Sequence, residues 1–396
     1  MCNAHLLRTT KKITRVQYLL VFLLVLVSGS MYLSQPIVFG LFGGGAFIYS
    51  LFRKDVNKRN QLWKFLLLIV IVFFIQFIVL HFISFLGCLN VLAKIVFGAT
   101  VMWLLKEKFR VAYLNVMYFF SAISLLFFFL SYIGFIVPNL FPTVESRSSI
   151  LFYNHIVNPI LDRNCGPFWE PGAFACYLIL VPILYIDNLK EFYLQNRKKV
   201  IVLFIALITT YSTTGFICLA VIILYYLSTS KRKILTYTLV LPVALFFMYN
   251  VYTSNEFLGD KIESQFDKSQ DLDGDFSNTR MGSFMFDLHY IKKHPLIGNG
   301  LHERTRYADH PYLWGNSPGH GNGFSNFLVQ MGLLVTSFYF FLIYHKLGRN
   351  RQQKVIALFV LFLLLQGEQV LNYPLFLSLP FIIIQRKKYE SSMVVC

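Results

Sequence analysis

The amino-acid sequence predicts an all-α protein: a polytopic membrane helix bundle of about 12 spans with a large late external loop. Three observations carry that expectation. Of 396 residues, 56% are hydrophobic, 17% aromatic and only 14% charged, and this balance could not cover the surface of a soluble fold. Apolar runs of about 20 residues, the length of helix that crosses a bilayer, recur along the chain. The basic residues are confined to alternate connections between those runs.

In order, the runs read as spans at 16–33, 35–52, 65–86, 87–105, 111–137, 171–187, 200–212, 213–229, 234–252, 324–345, 355–372 and 373–385. The first has the basic start and apolar core of a signal peptide. "SGS" at 28–30 is a poor cleavage site and further spans follow, so it reads as an uncleaved helix. The segments on the side of the N-terminus then carry 26 of the 36 basic residues against five acids. The opposite side carries nine basic residues and thirteen acids, leaving Lys94 and Glu368 inside spans. The net charge of +17 is therefore a positive-inside pattern with both termini cytoplasmic. It is not the footprint of a nucleic-acid binder, whose basic residues cluster on one face.

The whole chain, 1–396, reads as a single integral membrane domain with two long external loops, 138–170 and 253–323. Loops of that length tend to be functional or disordered. In the second, Met281, Phe284, Leu288 and Ile291 recur at helical spacing, with Ser277 or Asn278 to cap the start and Pro295 to end it. "PLIGNG" (295–300) then reads as a turn. His81, Lys94 and Glu368 fall in the outer halves of their spans. The hydroxyl-rich corner "TTYSTTG" (209–215) also points outward. Together they suggest a polar cavity open to the outside, although His81 and Lys94 could equally snorkel to the interface. The six cysteines have no CxxC spacing, and "DLDGDF" (271–276) lacks the glycine of an EF-hand loop. No metal or cofactor is expected.

Several side chains could carry chemistry. In "DRNCGPFWEPGAFACYL" (162–178), Pro171 suits the first helical turn, which makes Glu170 the N-cap. As an alternative to capping, its carboxylate could serve as a general base. Arg163 and Arg280 could grip phosphate with their planar forks, and no acid lies one helical turn from Arg280 to pair with it. Arg304 and Arg306 are weaker instances of the same chemistry. His320 sits among Gly319, Gly321 and Gly323, which let backbone approach a ligand. Its neutral imidazole could accept a proton from an attacking hydroxyl.

These features, in this order and sidedness, resemble the bacterial Wzy-type O-antigen and capsule polysaccharide polymerases, within the superfamily that includes the O-antigen ligases. The matching segments are "RNCGPFWEPGAF", "TTYSTTGF", Arg280 with "PLIGNG", and "HGNGFSNFLVQMGLL". Gly321 separates His320 from Asn322, whereas the ligase branch has His and Asn adjacent; this favours a polymerase. The resemblance implies metal-independent polymerisation of undecaprenyl-pyrophosphate-linked repeat units at the outer face of the bacterial cytoplasmic membrane. It implies Arg163, Arg280, Arg304, Arg306, Asn322 and Lys94 at the substrate, with His320, Glu170 and Arg280 catalytic. Donor and acceptor would both be lipid-linked glycans in membrane lipid, with a chain-length regulator and a flippase as partners and no nucleic acid. Alternative readings are a ligase passing finished glycan to a lipid or protein acceptor, and a lipid-oligosaccharide flippase or transporter. The crowding of polar groups in the outer half, with no half-to-half symmetry, disfavours a transporter.

Overall fold

The computed structural model of the protein describes residues 13–30, 32–52, 56–134, 147–150, 152–156, 163–229, 280–315 and 321–384. The expected span 234–252 and the loop stretch 253–279 lie outside the described residues. Within them the apolar runs are helices: α1 (Arg15–Val27), α2 (Pro36–Phe52), α3 (Val56–Leu80), α4 (Phe85–Leu105) and α5 (Phe109–Tyr132). A short hairpin, β1 (Arg147–Ile150) and β2 (Tyr153–Ile156), precedes α6 (Pro171–Leu184), α7 (Leu189–Gln195), α8 (Arg197–Thr209) and α9 (Thr213–Ser228). The late loop contributes α10 (Arg280–Lys293) and α11 (Glu303–Arg306). The bundle closes with α12 (Gly323–Lys346), α13 (Arg351–Gly367) and α14 (Pro374–Leu377).

Asn60–Leu80, Phe85–Ser131 and Gly323–Lys346 are long and apolar enough to cross a bilayer. The second stretch divides into α4 and α5 at a 3-10 turn where Lys106 adopts a φ of 52°. Phe74, Phe77, Ile78, Leu126, Phe129 and Phe341 point outward and are half or more exposed, an apolar surface suited to lipid rather than water. The protein is thus a polytopic helical membrane protein.

One end of the bundle is tied by Asp187, which takes Arg110 Nη1 at 3.0 Å and Arg349 Nε at 3.3 Å. These residues come from three separate connectors that the span alternation assigns to one side.

One local expectation is corrected. Residues 373–385 do not form a twelfth continuous helix: α14 has four residues and a 3-10 turn at Leu379–Phe381 follows. Pro374 and Pro380 remove backbone donors there. The broken segment lies inside the bundle, where Leu375 N–H donates to Ser28 Oγ (3.0 Å) and Phe376 O accepts from Tyr339 (2.6 Å). Irregular backbone survives at membrane depth only when protein satisfies it in this way. Helix α10 forms where the apolar spacing predicts and packs on the bundle, but not through the stripe Met281, Phe284, Leu288 and Ile291. Its buried residues are Gly282, Ser283, Asp287 and Tyr290, and Met281 is exposed. The helix faces the polar start of α12, where Ser325 Oγ donates to Asp287 Oδ2 (2.5 Å), so a polar face is the one that pairs.

The late loop enters the bundle at a break in α12. Gly332 is non-helical, with φ 73° and ψ 172°, and the "PLIGNG" segment crosses there. Leu333 and Leu334 N–H groups donate to Pro295 O (2.9 Å) and Leu296 O (3.1 Å), and Asn299 N–H donates to Val329 O (2.6 Å). From α3, the buried Gln76 donates to both Ile297 O (2.6 Å) and Gln330 O (2.8 Å). Donors and acceptors released by the break are thereby satisfied from the loop and from α3.

Candidate active site

Arg163 begins the segment that leads into α6. Its Nε and Nη2 donate to Thr210 O (3.0 Å) and Tyr211 O (3.1 Å), the carbonyls at the α8–α9 corner. Asn164, fully buried, pins the same corner: its N–H donates to Thr209 O (2.9 Å), and its amide to Thr209 Oγ1 (2.9 Å) and Ser124 Oγ (3.2 Å). Burial pulls the Arg163 guanidinium below its ordinary value. Cys165, Glu170 and Glu368 offset this, and Arg280 adds to it. The group stays charged, since arginine is not deprotonated in proteins.

Ser124 fixes the depth of this corner. It lies about 22 Å along α5 from Phe109, at 1.5 Å per residue, and α5 continues about 12 Å further. Helices α6 (14 residues), α8 (13 residues) and α9 (16 residues) are about 20–24 Å long, short of the ~30 Å hydrocarbon core. Their outer ends therefore sit below the end of α5, in a recess of the bundle.

Three helix N-termini meet in that recess. A Cβ on Gly215 of α9 would lie 2.9 Å from Ala175 Cβ of α6. One on Gly172 of α6 would run into Glu368 Oε1, and one on Gly323 of α12 into the Glu368 backbone. Only glycine allows these approaches. Ser212 caps α9 and Asn322 caps α12, accepting from Gly215 N–H (3.2 Å) and Ser325 N–H (3.0 Å). At α6 the N-cap is Glu170, as the sequence suggests, but its side chain makes no capping bond and is exposed. The carboxylate set against the first turn of α6 is instead the buried Glu368, from the end of α13. The macrodipole of α6 favours it there.

Arg280, the first residue of α10, reaches the same place: its Nη1 donates to Thr214 Oγ1 at 2.7 Å. A Cβ on Gly367, beside Glu368, would lie 3.0 Å from that same Oγ1. Arg163, Arg280, Glu170 and Glu368 thus form one cluster of two guanidiniums and two carboxylates. Glu368 and Thr214 were read from the sequence only as parts of a polar cavity, and nothing in their spacing ties them to Gly172 or Arg280.

The other candidates lie apart. Arg306 is buried and paired with Asp287, its guanidinium 4.8 Å from the Tyr307 ring. Arg304 is exposed and lies over Trp314 (5.9 Å). Lys94 lies over Phe39 (4.5 Å). Among the described residues no contact joins Arg304 or Lys94 to the cluster. His320 lies outside the described residues. Its neighbour Gly321 donates to Ser283 Oγ (3.0 Å), one turn along α10 from Arg280. On the outer face of α10, Lys293 and His289 converge on Asp309 and hold its carboxyl below the usual range.

The fold and site define a helical membrane protein with a fixed recess of paired guanidiniums and carboxylates at the ends of short helices. Comparison with known families agrees: the profile of the O-antigen ligase family (Wzy_C) matches residues 200–340, from α8 through most of α12. That segment carries Arg280, Thr214 and Asn322, and the match bears out the resemblance to the O-antigen ligase/polymerase superfamily. It supports a role in polysaccharide biosynthesis, in an enzyme of ligase or polymerase type that acts on lipid-linked glycans, without separating the two. No curated protein and no solved structure gives a match.

Proposed function

We propose that the protein polymerises undecaprenyl-pyrophosphate-linked oligosaccharide repeat units into surface polysaccharide at the outer face of the bacterial cytoplasmic membrane. The observation that carries this reading is the placement of Arg163 and Arg280 at the joined N-termini of α6 and α9. Two guanidiniums and the helix ends together make an anion site that needs no metal.

In the reaction, the terminal hydroxyl oxygen of the acceptor bonds to the anomeric carbon of the donor as the bond from that carbon to the pyrophosphate oxygen breaks. Negative charge grows on the departing pyrophosphate, where fixed guanidiniums stabilise the transition state more than the ground state. Arg163 is held in place by two carbonyls and serves as a preset charge. Arg280 uses one of its five N–H groups on Thr214 and offers others to phosphate. The hydroxyl proton goes to Glu170, whose carboxylate caps no helix, or to His320 at the end of the loop. Glu368 and Glu170 together balance the two cations between turnovers.

Alanine at Arg280 tests the assignment. With normal membrane expression, polymerisation falls about a hundredfold or more, the usual effect of removing one such stabilising group, and surface glycan collapses to single repeat units. A normal chain-length ladder would overturn the role of Arg280. The second reading, a ligase, is favoured by the description of the matching family. It predicts complete loss of glycan from its acceptor in a deletion strain, with no single-unit product.

A further inference from the structure

Beside the charged cluster lies a surface of carboxamides and rings that the transfer chemistry does not use. On α12, Asn322, Asn326 and Gln330 recur every four residues and so share one face. Gln366, Gln369 and Asn372 face them from the end of α13 and the turn beyond. Asn322 Nδ2 donates to Gln366 Oε1 (2.7 Å), and Asn326 Nδ2 to Gln369 Oε1 (3.2 Å). Asn372 Nδ2 also reaches Gln369 Oε1 (2.9 Å), and Gln330 Nε2 donates to Asn326 Oδ1 (3.2 Å). Asn322 and Asn326 are buried, whereas Gln330, Gln366, Gln369 and Asn372 are only half-buried. The ladder therefore has a closed side and an accessible side. At its edge Trp169 stacks on Tyr373, with ring centroids 4.6 Å apart and both rings half-buried. Tyr373 is within electrostatic reach of Glu368 and Glu170, so this surface adjoins the reacting centre.

We propose that this surface is a saccharide-binding subsite. It holds an uncharged sugar ring against the Trp169–Tyr373 pair while the accessible amides bind its hydroxyls. The proposal rests on the glycan-transfer reading above. A carboxamide offers N–H donors and a carbonyl acceptor side by side, matching a hydroxyl that both gives and accepts. Being uncharged, it has no preference for phosphate, which the arginines take. The aromatic faces supply an apolar surface for the C–H face of the ring. The ladder also keeps capacity in reserve. In these bonds Gln366 uses only its oxygen, and Asn372 and Gln330 use only their nitrogens. Among the described residues, one amide N–H pair and two carbonyl oxygens are left to meet a ligand. A ladder that served only to join helices in a membrane would pair these groups with one another.

The test uses full-length protein in nanodiscs with two probes: the neutral oligosaccharide released by mild acid from the host's surface glycan, and inorganic pyrophosphate. Gln366→Glu keeps an oxygen to accept from Asn322 and replaces the outward N–H donors with a charged acceptor, and Trp169→Ala is the separating variant because it adds no charge. Gln366→Glu and Trp169→Ala should each weaken oligosaccharide binding about tenfold, and Trp169→Ala should leave pyrophosphate binding and the thermal midpoint as in wild type. Arg280→Ala should do the reverse. Absence of oligosaccharide binding to the wild-type protein, or binding unchanged in Gln366→Glu and Trp169→Ala, overturns the subsite. Pyrophosphate binding that survives Arg280→Ala, with oligosaccharide binding still lost in the ladder variants, counts against the transfer reading and leaves the subsite standing.

Discussion

At the scale of single residues, four arginines of the outer loops look alike in the sequence and have three different fates. Arg163 and Arg280 join the recess, Arg304 lies exposed over a tryptophan, and Arg306 is buried against Asp287. Side-chain type alone could nominate all four, because each offers the same fork. What separates them is the partner, and Asp287 lies about two turns along α10 from Arg280, on its buried face. Asp287→Ala leaves a guanidinium buried without its carboxylate and should cost about 3–5 kcal/mol. Arg304→Ala should change stability by less than about 0.5 kcal/mol. Thermal unfolding of the purified protein in detergent measures both, and equal effects would contradict the assignment. The carboxylates show the same limit of sequence reading. Pro171 correctly marks Glu170 as the N-cap position, yet the carboxylate that meets α6 comes from Glu368, which only the folded chain brings near.

At the scale of elements, "PLIGNG" and the glycine of "MGLL" are legible as turn signals, but their connection is not. Gly298 and Gly332 both have positive φ, 77° and 73°, and a Cβ on Gly298 would lie 2.6 Å from Gly332 N. The break in α12 and the loop crossing it therefore form one joint, locked by Gln76. Gly332→Ala should cost about 1–3 kcal/mol in backbone strain alone, with a backbone clash against Leu296 O and Ile297 C in addition. Gln76→Leu strands two buried carbonyls and should cost a further ~1–3 kcal/mol each. Gly315 also has positive φ (77°) but open space around its Cβ position, so Gly315→Ala should cost the backbone strain without the clash and lose less stability than Gly332→Ala. Fluorescence-detected melting of the three variants checks the order, and a Gly332→Ala protein as stable as Gly315→Ala would refute the joint. Helix α10 shows what periodicity leaves open at such places: its apolar spacing predicts a helix against the membrane or the bundle, and only the fold shows that Ser283 and Asp287 are buried against the start of α12.

At the scale of the whole molecule, charge alternation and the Asp187 ion pairs lead to one arrangement. In a background with Cys2 and Cys396 replaced, Arg304→Cys should react with a membrane-impermeant maleimide on intact spheroplasts. Lys190→Cys should react only after permeabilisation, and labelling of both from outside would overturn the topology. The sequence by itself determined the class of fold and, among the described residues, the positions of most helices, and it sets the expected sidedness of the connectors. These follow from hydropathy, charge and turn chemistry, which act locally along the chain. Only the tertiary structure decided which arginines share a recess, which carboxylate meets α6, why α12 breaks, and that the last apolar run passes through the bundle as broken backbone instead of one continuous helix. Those outcomes depend on close approaches between residues far apart in sequence, where a missing Cβ or a freed carbonyl selects the partner.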